Sequence, residues 1–445
     1  MLKKRYFLSF LIVLMIFPIV HNIFNYEFEY NYDYDAHKIY IEKLVEGRLP
    51  TVEDSREFYF PPLPYLVPAY LNKACIKYKV SYSPEFSLCD IIYQKGSLAF
   101  QYLLFFFSLV LIYKISQKIS KNLIYANLNI LLFSFFPANI RSFSMIRGEP
   151  YLVFFTLLLI YLTYVYVDSK KVYSYKHYLI FGILTGLLLL SRQYGIFLLI
   201  TIFIASMYFL VKTDHKLKHF TRFTLILLCG VVVSSWFYIS VYNSTGTFYN
   251  YTGELNLTEF DSNKDQSNEG FNLIKNYQKL LETPNKSSEV KSFQLLFIDS
   301  FVDYGGYFNV TDRSSNEFGF EPNFQNLKRY LQLNFLLGTT WLILSISSFF
   351  YLLYIFKTLN NTKKYFFFIV CFSITISLVF HFYLFQTCTG GVCSDYLKST
   401  YLLSYLCLTP FIINFMVINL QSNLIRNYLV VSSFVMYPSL FTYLI

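Results

Sequence analysis

Residues 6–24 read YFLSFLIVLMIFPIVHNIF, and the stretch contains no Asp, Glu, Lys or Arg. A helix of about 17 to 25 apolar residues is long enough to cross the roughly 30 Å hydrocarbon core of a bilayer. The stretch follows a basic run at residues 3–5, and its continuous apolar run ends at His21 and Asn22 without the small-residue cleavage site of a secretory signal. It therefore predicts a signal anchor, the first helix of a membrane protein.

The composition of the whole chain extends this prediction. Of the 445 residues, 55% are hydrophobic and only 14% are charged, whereas a typical soluble domain has about 25% charged residues. These values exclude an ordinary soluble globular protein and predict an all-α polytopic membrane protein with about eleven transmembrane helices. The candidate spans lie near residues 6–24, 96–113, 122–140, 150–167, 178–191, 194–211, 223–242, 334–356, 365–386, 400–419 and 428–445.

The basic residues indicate the orientation of these spans. If the N-terminus lies in the cytosol, the basic clusters of the short loops all fall on the cytosolic side, as the positive-inside rule requires. The formal net charge of +10 then reflects topology rather than nucleic-acid binding, because the clusters lie between apolar runs and not along one face. The cytosolic basic residues are Lys114, Lys118 and Lys121; Lys170, Lys171 and Lys176; Lys212, Lys216, Lys218 and Arg222; Lys357, Lys363 and Lys364; and Arg426.

This topology divides the chain into membrane segments and outward-facing loops. A short third outer loop is expected around residues 387–399. The predicted segments are the first transmembrane helix at 1–24, the first outer loop with interfacial helices at 25–95, transmembrane helices two to seven at 96–242, a large outer loop at 243–333, and transmembrane helices eight to eleven at 334–445.

Four of the seven cysteines fall in the outer loops, which suggests an oxidising compartment. Cys75 and Cys89 lie in the first outer loop, and Cys388 and Cys393 lie in the last. Pairing within each loop is the simplest of the three ways to pair four cysteines, and free thiols are the alternative. A zinc site is not indicated, because Cys388 and Cys393 have no second pair of ligands nearby.

The first outer loop begins with a cluster of ionisable residues, since residues 32–37 read YDYDAH. Apolar residues then recur at helical spacing, so we expect an interfacial helix that ends near Gly47. Asp33 or Asp35 would cap this helix at the lipid boundary, where a partly desolvated carboxylate can act as a general base or a metal ligand. Capping alone is the structural alternative. Together with His37, these two carboxylates are the predicted catalytic residues.

A proline-rich strip follows, in which residues 58–66 read FYFPPLPYL and open a second apolar helix. The arrangement resembles the GT-C superfamily of polytopic glycosyltransferases, which use polyisoprenyl-phosphate sugars as donors. Within it, the loop is similar to those of the dolichyl-phosphoglucose α-1,2-glucosyltransferase and of bacterial relatives of protein mannosyltransferases. The sequence departs from the pattern where Tyr34 replaces the usual Glu, with Asp35 one place further on. The matching residues are Asp33, His37, Glu46-Gly47-Arg48, Pro61-Pro62 and Ser191-Arg192-Gln193.

Positive charge in short outer loops runs against the positive-inside rule and needs another explanation. A lipid phosphate would explain it, because fixed cations stabilise a phosphate leaving group and arginine can bind phosphate through two hydrogen bonds. Snorkelling to lipid headgroups is the alternative for each residue. The predicted phosphate-binding residues are Arg147, Arg192 and Lys398, and the predicted substrate-binding residues are Glu149, Tyr59 and Arg141.

The resemblance implies transfer of a sugar from a polyprenyl or dolichyl phosphate to a hydroxyl of a glycan, lipid or protein. The reaction would take place on the outer or lumenal face, with inversion by a single displacement and an Asp as the general base. No cofactor is expected, because Asp33-Tyr34-Asp35 is only a weak match to a DxD metal motif. The sequence contains neither a Walker loop nor a dinucleotide fingerprint. His381, inside a span, is expected to pack rather than to catalyse.

Other functions explain part of the pattern. A polysaccharide polymerase or ligase with lipid diphosphate donors would place its chemistry in the large outer loop. A transporter would show inverted repeats and broken spans with buried charge, whereas the polar residues here gather at the outer ends of the spans. A purely structural membrane protein would leave the acidic motif unexplained. The membrane would be that of the endoplasmic reticulum in a eukaryote or the cytoplasmic membrane in a bacterium.

Overall fold

The computed structural model describes nine stretches of the chain, and all of the regular structure in these stretches is helical. The predicted all-α architecture is therefore confirmed for the described part of the chain. The described residues are 6–25, 34–55, 57–79, 87–169, 175–210, 216–246, 300–301, 325–387 and 399–441. The helices are α1 (Phe7–Asn25), α2 (Tyr34–Val45), α3 (Leu63–Lys79), α4 (Ser87–Ile119), α5 (Leu123–Ser134), α6 (Pro137–Phe143), α7 (Glu149–Ser169), α8 (Tyr175–Ser191), α9 (Ile196–Leu210), α10 (Lys216–Thr245), α11 (Gln325–Ile355), α12 (Asn361–Thr387), α13 (Ser399–Leu406), α14 (Thr409–Asn419) and α15 (Asn423–Met436), with 3₁₀ turns at Gln193–Gly195, Phe356–Thr358 and Tyr437–Leu440.

Seven membrane-crossing stretches are found in this part of the chain, all long and apolar enough to span a bilayer. They lie in α1, α4, α7, α10, α11 and α12 and in Leu402–Asn419, which includes α14; the bent pair α5 and α6 adds an eighth if it counts as one crossing. Two further apolar helices, α8 and α9, are shorter. The chain is a multi-pass integral membrane protein, as predicted. The span expected near residues 96–113 is part of the longer α4, whose first turns belong to the segment assigned to the first outer loop.

Pro137 breaks the span that the sequence predicts near residues 122–140. The helices on either side of the break, α5 and α6, are bent by 61°. Phe136 has the extended backbone (φ −74°, ψ 112°) that a following proline favours. Every residue of α6 is buried, so the break brings Arg141 inside the bundle.

The two ends of the bundle differ in the residues that they carry. Glu149 begins α7, and Arg192 follows the last residue of α8 at the same end, which we call the Arg192 end. At the opposite end, Lys118 Nζ of α4 lies 3.9 Å from Asp168 Oδ2 of α7. We call this the Lys118 end. The residues predicted to face outward and those predicted to face the cytosol therefore fall at opposite ends of α7.

Asn22 fixes the end of α1 to three other parts of the chain. Its Nδ2 donates to Tyr102 Oη of α4 (3.1 Å), to Ser144 Oγ after α6 (3.1 Å) and to the Leu440 carbonyl (2.8 Å). Asn22 is fully buried, so these bonds satisfy a polar group that would otherwise be costly in an apolar bundle. The network holds the connection between α6 and α7 in place at the Arg192 end.

A disulfide joins α3 to α4. The bond is between Cys75 and Cys89, so pairing within the first outer loop is confirmed for this pair. Cys388 and Cys393 lie outside the described residues. The crosslink anchors α3, which follows the proline-rich strip, to a membrane-crossing helix.

Replacing both Cys75 and Cys89 with serine is expected to lower the free energy of unfolding by about 3 kcal/mol, because the bond closes a loop of roughly 15 residues in the unfolded chain. Thermal unfolding in detergent measures the change, and reductant should reproduce it in the wild-type protein. Cys371→Ser is the matched control, since Cys371 is a free cysteine. An unfolding temperature that neither change lowers would contradict a stabilising role for the bond.

Candidate active site

The Arg192 end of the bundle contains a concentration of buried ionisable side chains. Two of them come from the first outer loop and four from the ends of membrane helices. Buried charge is costly in a membrane protein and commonly marks a functional site. The buried ionisable residues are His37, Glu57, Arg141, Arg147, Glu149 and Arg192, each 7% exposed or less.

Arg192 and Glu149 form a buried ion pair. Arg192 Nη2 lies 2.9 Å from Glu149 Oε1, and the two side chains are 4% and 1% exposed. The other carboxylate oxygen, Oε2, is buried and has no hydrogen-bond partner among the described residues. The guanidinium of Arg192 also lies 4.0 Å from the centre of the Phe60 ring, a cation–π distance. Arg192 thus links the end of α8 to the first outer loop.

Gln101 of α4 fixes the backbone around Arg147. Its Nε2 donates to the carbonyl oxygens of Phe143 (3.1 Å) and Met145 (2.7 Å), and its Oε1 accepts from the N–H of Arg147 (3.2 Å). The connection between α6 and α7 is therefore held by one side chain that pairs three backbone groups. The side chain of Arg147, 2% exposed, is the largest of the fully buried side chains in the described part of the protein.

Gly148 lets this connection pack directly against Arg192. A Cβ at this position would lie 2.6 Å from the Ser191 carbonyl oxygen and 2.7 Å from Arg192 Nε. Such a contact with backbone cannot be relieved by a rotamer change. The glycine is therefore required by the close approach of the two segments.

Gly148→Ala is expected to destabilise the protein by about 1 to 3 kcal/mol, the usual cost of overpacking, and to displace Arg192 from Glu149. Thermal unfolding, and the rate of any reaction that the cluster catalyses, would both report the change. The matched control is Gly96→Ala, whose Cβ would meet only the flexible side chain of Leu71. Wild-type stability and activity in Gly148→Ala would contradict the close packing.

His37 and Tyr65 form a buried pair between α2 and α3. The Tyr65 hydroxyl lies 2.8 Å from His37 Nδ1, and Tyr40 stacks on Tyr65 while donating to the Phe60 carbonyl (2.7 Å). Burial raises the pKa of the Tyr65 hydroxyl well above its ordinary value; the positive charge of Arg192 opposes this shift. Tyr65 therefore stays protonated at neutral pH. Its hydroxyl can serve as a neutral hydrogen-bond partner of the imidazole.

Four of the buried charged groups act on Tyr65. The charges of Arg192, Glu57, Glu149 and Arg147 all act on its hydroxyl. Arg147 and Glu149 lie more than forty positions before Arg192 in the sequence, and Glu57 belongs to the first outer loop. The fold therefore unites the first outer loop with the predicted cationic positions.

Glu57 is a buried carboxylate that the sequence reasoning did not single out. Its N–H donates to Ser55 Oγ (3.2 Å), which in turn donates to the Ala36 carbonyl of α2 (3.0 Å). This anchor holds the segment against α2 and leaves Glu57 only 7% exposed. The sequence feature that could have indicated Glu57 is its position immediately before the aromatic and proline-rich strip at residues 58–66.

The other predicted site residues are placed as follows. Asp35 is exposed on the first turn of α2, so the structure does not bring it into the buried cluster. Tyr59 is buried, and its carbonyl accepts from Gln193 Nε2 (3.0 Å), a bond that ties the proline-rich strip to the turn after α8. Arg141 lies buried in α6. Asp33 and Lys398 lie outside the described residues.

His381 lies inside α12. Its Nδ1 is 2.8 Å from the Ser377 carbonyl oxygen, and its ring packs on Tyr194 at 4.8 Å between centres. These contacts agree with the packing role expected for it. Within the described ranges, no group of three or more His, Cys, Asp or Glu side chains is arranged to hold a metal ion.

Comparisons with known proteins include a likeness to a solved structure. No protein-family model matches the chain, and no curated protein matches it. A solved structure of the archaeal oligosaccharyltransferase AglB from Archaeoglobus fulgidus, in complex with an inhibitory peptide and a dolichol-phosphate, is similar with a TM-score of 0.46 and 12% sequence identity. The likeness covers 99% of this chain and 57% of that chain, so this chain spans little more than half of the archaeal protein.

Proposed function

We propose that the chain is a membrane-embedded glycosyltransferase that moves a sugar from a polyprenyl or dolichyl phosphate to an acceptor hydroxyl. The observation that carries the proposal is the ion pair of Arg192 with Glu149 beneath the first outer loop. The second oxygen of this carboxylate, Oε2, is buried and accepts no hydrogen bond from the described residues. Because an unsatisfied buried acceptor is costly, hydroxyl groups of a bound substrate are suitable donors to it.

The arginines of the cluster suit the phosphate of such a donor. A guanidinium can bind two phosphate oxygens at once, and a buried site strengthens the attraction relative to water. We propose that Arg147 and Arg192 stabilise the negative charge that the leaving phosphate gains, with Arg141 nearby on the short helix α6. Lys398 is a further proposed phosphate ligand. Glu149 would orient Arg192 and bind sugar or acceptor hydroxyls, and Tyr59 would line the substrate site.

The proposed reaction is a single displacement at the anomeric carbon. The acceptor oxygen forms a bond to that carbon while the bond from carbon to the phosphate oxygen breaks. The bonding electron pair leaves with the lipid phosphate, and the acceptor proton passes to a carboxylate, for which Asp33 and Asp35 are the proposed bases. His37 and Tyr65 would position the groups around them through their shared hydrogen bond. Inversion at the anomeric carbon follows, and the proposal needs neither a metal nor a nucleotide.

A donor panel tests this function. Membranes that contain the protein are supplied separately with radiolabelled mannose or glucose carried on undecaprenyl phosphate, on dolichyl phosphate, or on a nucleoside diphosphate. We expect incorporation of label from at least one polyisoprenyl-phosphate donor and none above background from the nucleotide sugars. Incorporation equal to that of membranes without the protein, for all polyisoprenyl donors, would overturn the proposal.

The rival polymerase or ligase places its chemistry in the large outer loop, and residues 247–299 and 302–324 of this loop lie outside the described residues. The same panel separates the two enzymes if it includes a polyprenyl diphosphate sugar. Transfer from the diphosphate donor alone would favour the rival.

A further inference from the structure

A second buried arginine site lies at the Lys118 end of the bundle. Arg222, in the first turns of α10, is only 6% exposed. It donates to the hydroxyl of Tyr178 (3.3 Å). Its guanidinium lies 5.2 Å from the centre of the Tyr178 ring, and Tyr178 donates to Tyr166 at 3.2 Å. Three polar groups from α7, α8 and α10 therefore meet at one buried point.

The cluster contains a cation and no carboxylate. In the described part of the chain, Arg222 has tyrosine partners but no acidic partner. The acidic residue near this end of α7, Asp168, pairs instead with Lys118, and both of those side chains are 45% exposed. A buried cation without a counter-ion is strongly disfavoured, so the arrangement calls for an anion.

An apolar cavity begins at the same two tyrosines. It has a volume of about 130 Å³ and is lined by Tyr166, Tyr178, Ile180 and Phe223, among other residues. Ile180 is 54% exposed, so the cavity opens on the apolar outer surface of the bundle. The span in α10 is only 28% buried within the chain, so most of it faces the surrounding lipid.

The cavity continues deeper into the bundle. A second space, of about 20 Å³, shares Thr163, Phe181 and Ile226 with the first and extends to Leu199 of α9. The two spaces form a crevice between α7, α8, α9 and α10. Arg222 contacts Tyr178, which lines this apolar crevice, so a buried cation adjoins an apolar space. This arrangement suits an amphiphile with an anionic head.

We propose that this crevice binds an anionic membrane phospholipid, with its phosphate on Arg222 and the two tyrosine hydroxyls and one acyl chain along the crevice. Basic pockets between transmembrane helices are suited to phospholipid headgroups. The site is separate from the proposed sugar-transfer site, because Tyr178 and Arg192 are fourteen residues apart on or just beyond α8, about 20 Å along a helix axis. The lipid would stabilise the packing of α7, α8 and α10 and takes no part in transfer.

The test measures lipid bound to the purified protein. Three proteins are compared: wild type, Arg222→Gln and Arg222→Lys. Each is reconstituted in nanodiscs that contain equal amounts of phosphatidylglycerol and phosphatidylcholine. The protein is then released from the nanodisc, and native mass spectrometry identifies the lipid that remains bound to it. We expect the wild type to retain more phosphatidylglycerol than phosphatidylcholine. Arg222→Gln should retain about five- to tenfold less phosphatidylglycerol than the wild type, because one basic contact is removed. Arg222→Lys should keep most of the binding, because the charge remains.

The matched control is Arg426→Gln, which removes a partly exposed arginine of α15 and should leave lipid retention unchanged. Equal retention of the two lipids by wild type, or equal phosphatidylglycerol retention by wild type and Arg222→Gln, would overturn the proposal. A further arm adds inorganic phosphate: full displacement of the lipid would show that a free phosphate is the preferred ligand and would also overturn it. None of these measurements depends on sugar transfer.

Discussion

Arg192→Gln is expected to reduce sugar transfer by about 100-fold or more, the usual effect of removing one group that stabilises charge in a transition state. The same change leaves the carboxylate of Glu149 buried without its ion-pair partner, 1% exposed. Breaking a buried pair in this way typically costs about 3 to 5 kcal/mol of stability. A lower transfer rate in Arg192→Gln alone could therefore come from lost stability or from the lost phosphate ligand.

The double variant Arg192→Gln with Glu149→Gln separates the two effects. It removes both charges together, so we expect its unfolding temperature to return most of the way to that of the wild type. Its transfer rate should stay at least about 100-fold low, because the proposed phosphate ligand is still missing. Arg329→Gln, at an exposed arginine of α11, is the control. A double variant that regains both stability and transfer would show that the pair is only structural.

The second large effect concerns the general base. We expect Asp33→Asn to reduce transfer by about 10² to 10⁴-fold, the range that general-base assistance supplies. Asp35→Asn should have a smaller effect, because Asp35 is exposed to water at the start of α2. The measurement is the rate of transfer from the donor that the panel identifies, at saturating donor concentration.

Two further variants complete this series. Glu53→Gln removes an exposed carboxylate of the same loop and should leave the rate within about twofold of the wild type, as expected for a surface change. Glu57→Gln tests the buried carboxylate beside Tyr65. Wild-type rates for both Asp33→Asn and Asp35→Asn would eliminate the proposed bases, and a large loss in Glu57→Gln alone would assign the role to Glu57.

Local sequence patterns predicted much of the fold. The interfacial helix after the first span was expected to end near Gly47, and α2 indeed ends at Val45, with Gly47 at a positive φ of 89°. Helical periodicity and the conformational freedom of glycine are local properties, so neither required knowledge of distant contacts. The positions of Arg147, Glu149 and Arg192 were likewise predicted, because charges at the ends of apolar spans stand out in the sequence.

The features that the sequence did not predict depend on contacts between distant segments. Glu57 is buried in a segment that Ser55 anchors to α2 and that Arg192 contacts through Phe60. The division of one predicted span into α5 and α6 follows from Pro137, which a hydropathy pattern does not register. The close packing of Gly148 against Ser191 likewise joins two helix ends that the sequence alone could not place together.

Labelling with a photoreactive polyprenyl phosphate tests most directly whether the buried arginines bind a lipid phosphate. Membranes with wild type, Arg147→Gln or the control Arg329→Gln are irradiated with the probe, and the labelled protein is quantified. Wild type and Arg329→Gln should label equally and be protected by unlabelled polyprenyl phosphate, and Arg147→Gln should label about tenfold less, given the strength of a charged bidentate contact. Equal labelling of all three proteins would contradict the assignment of this cluster as the donor site.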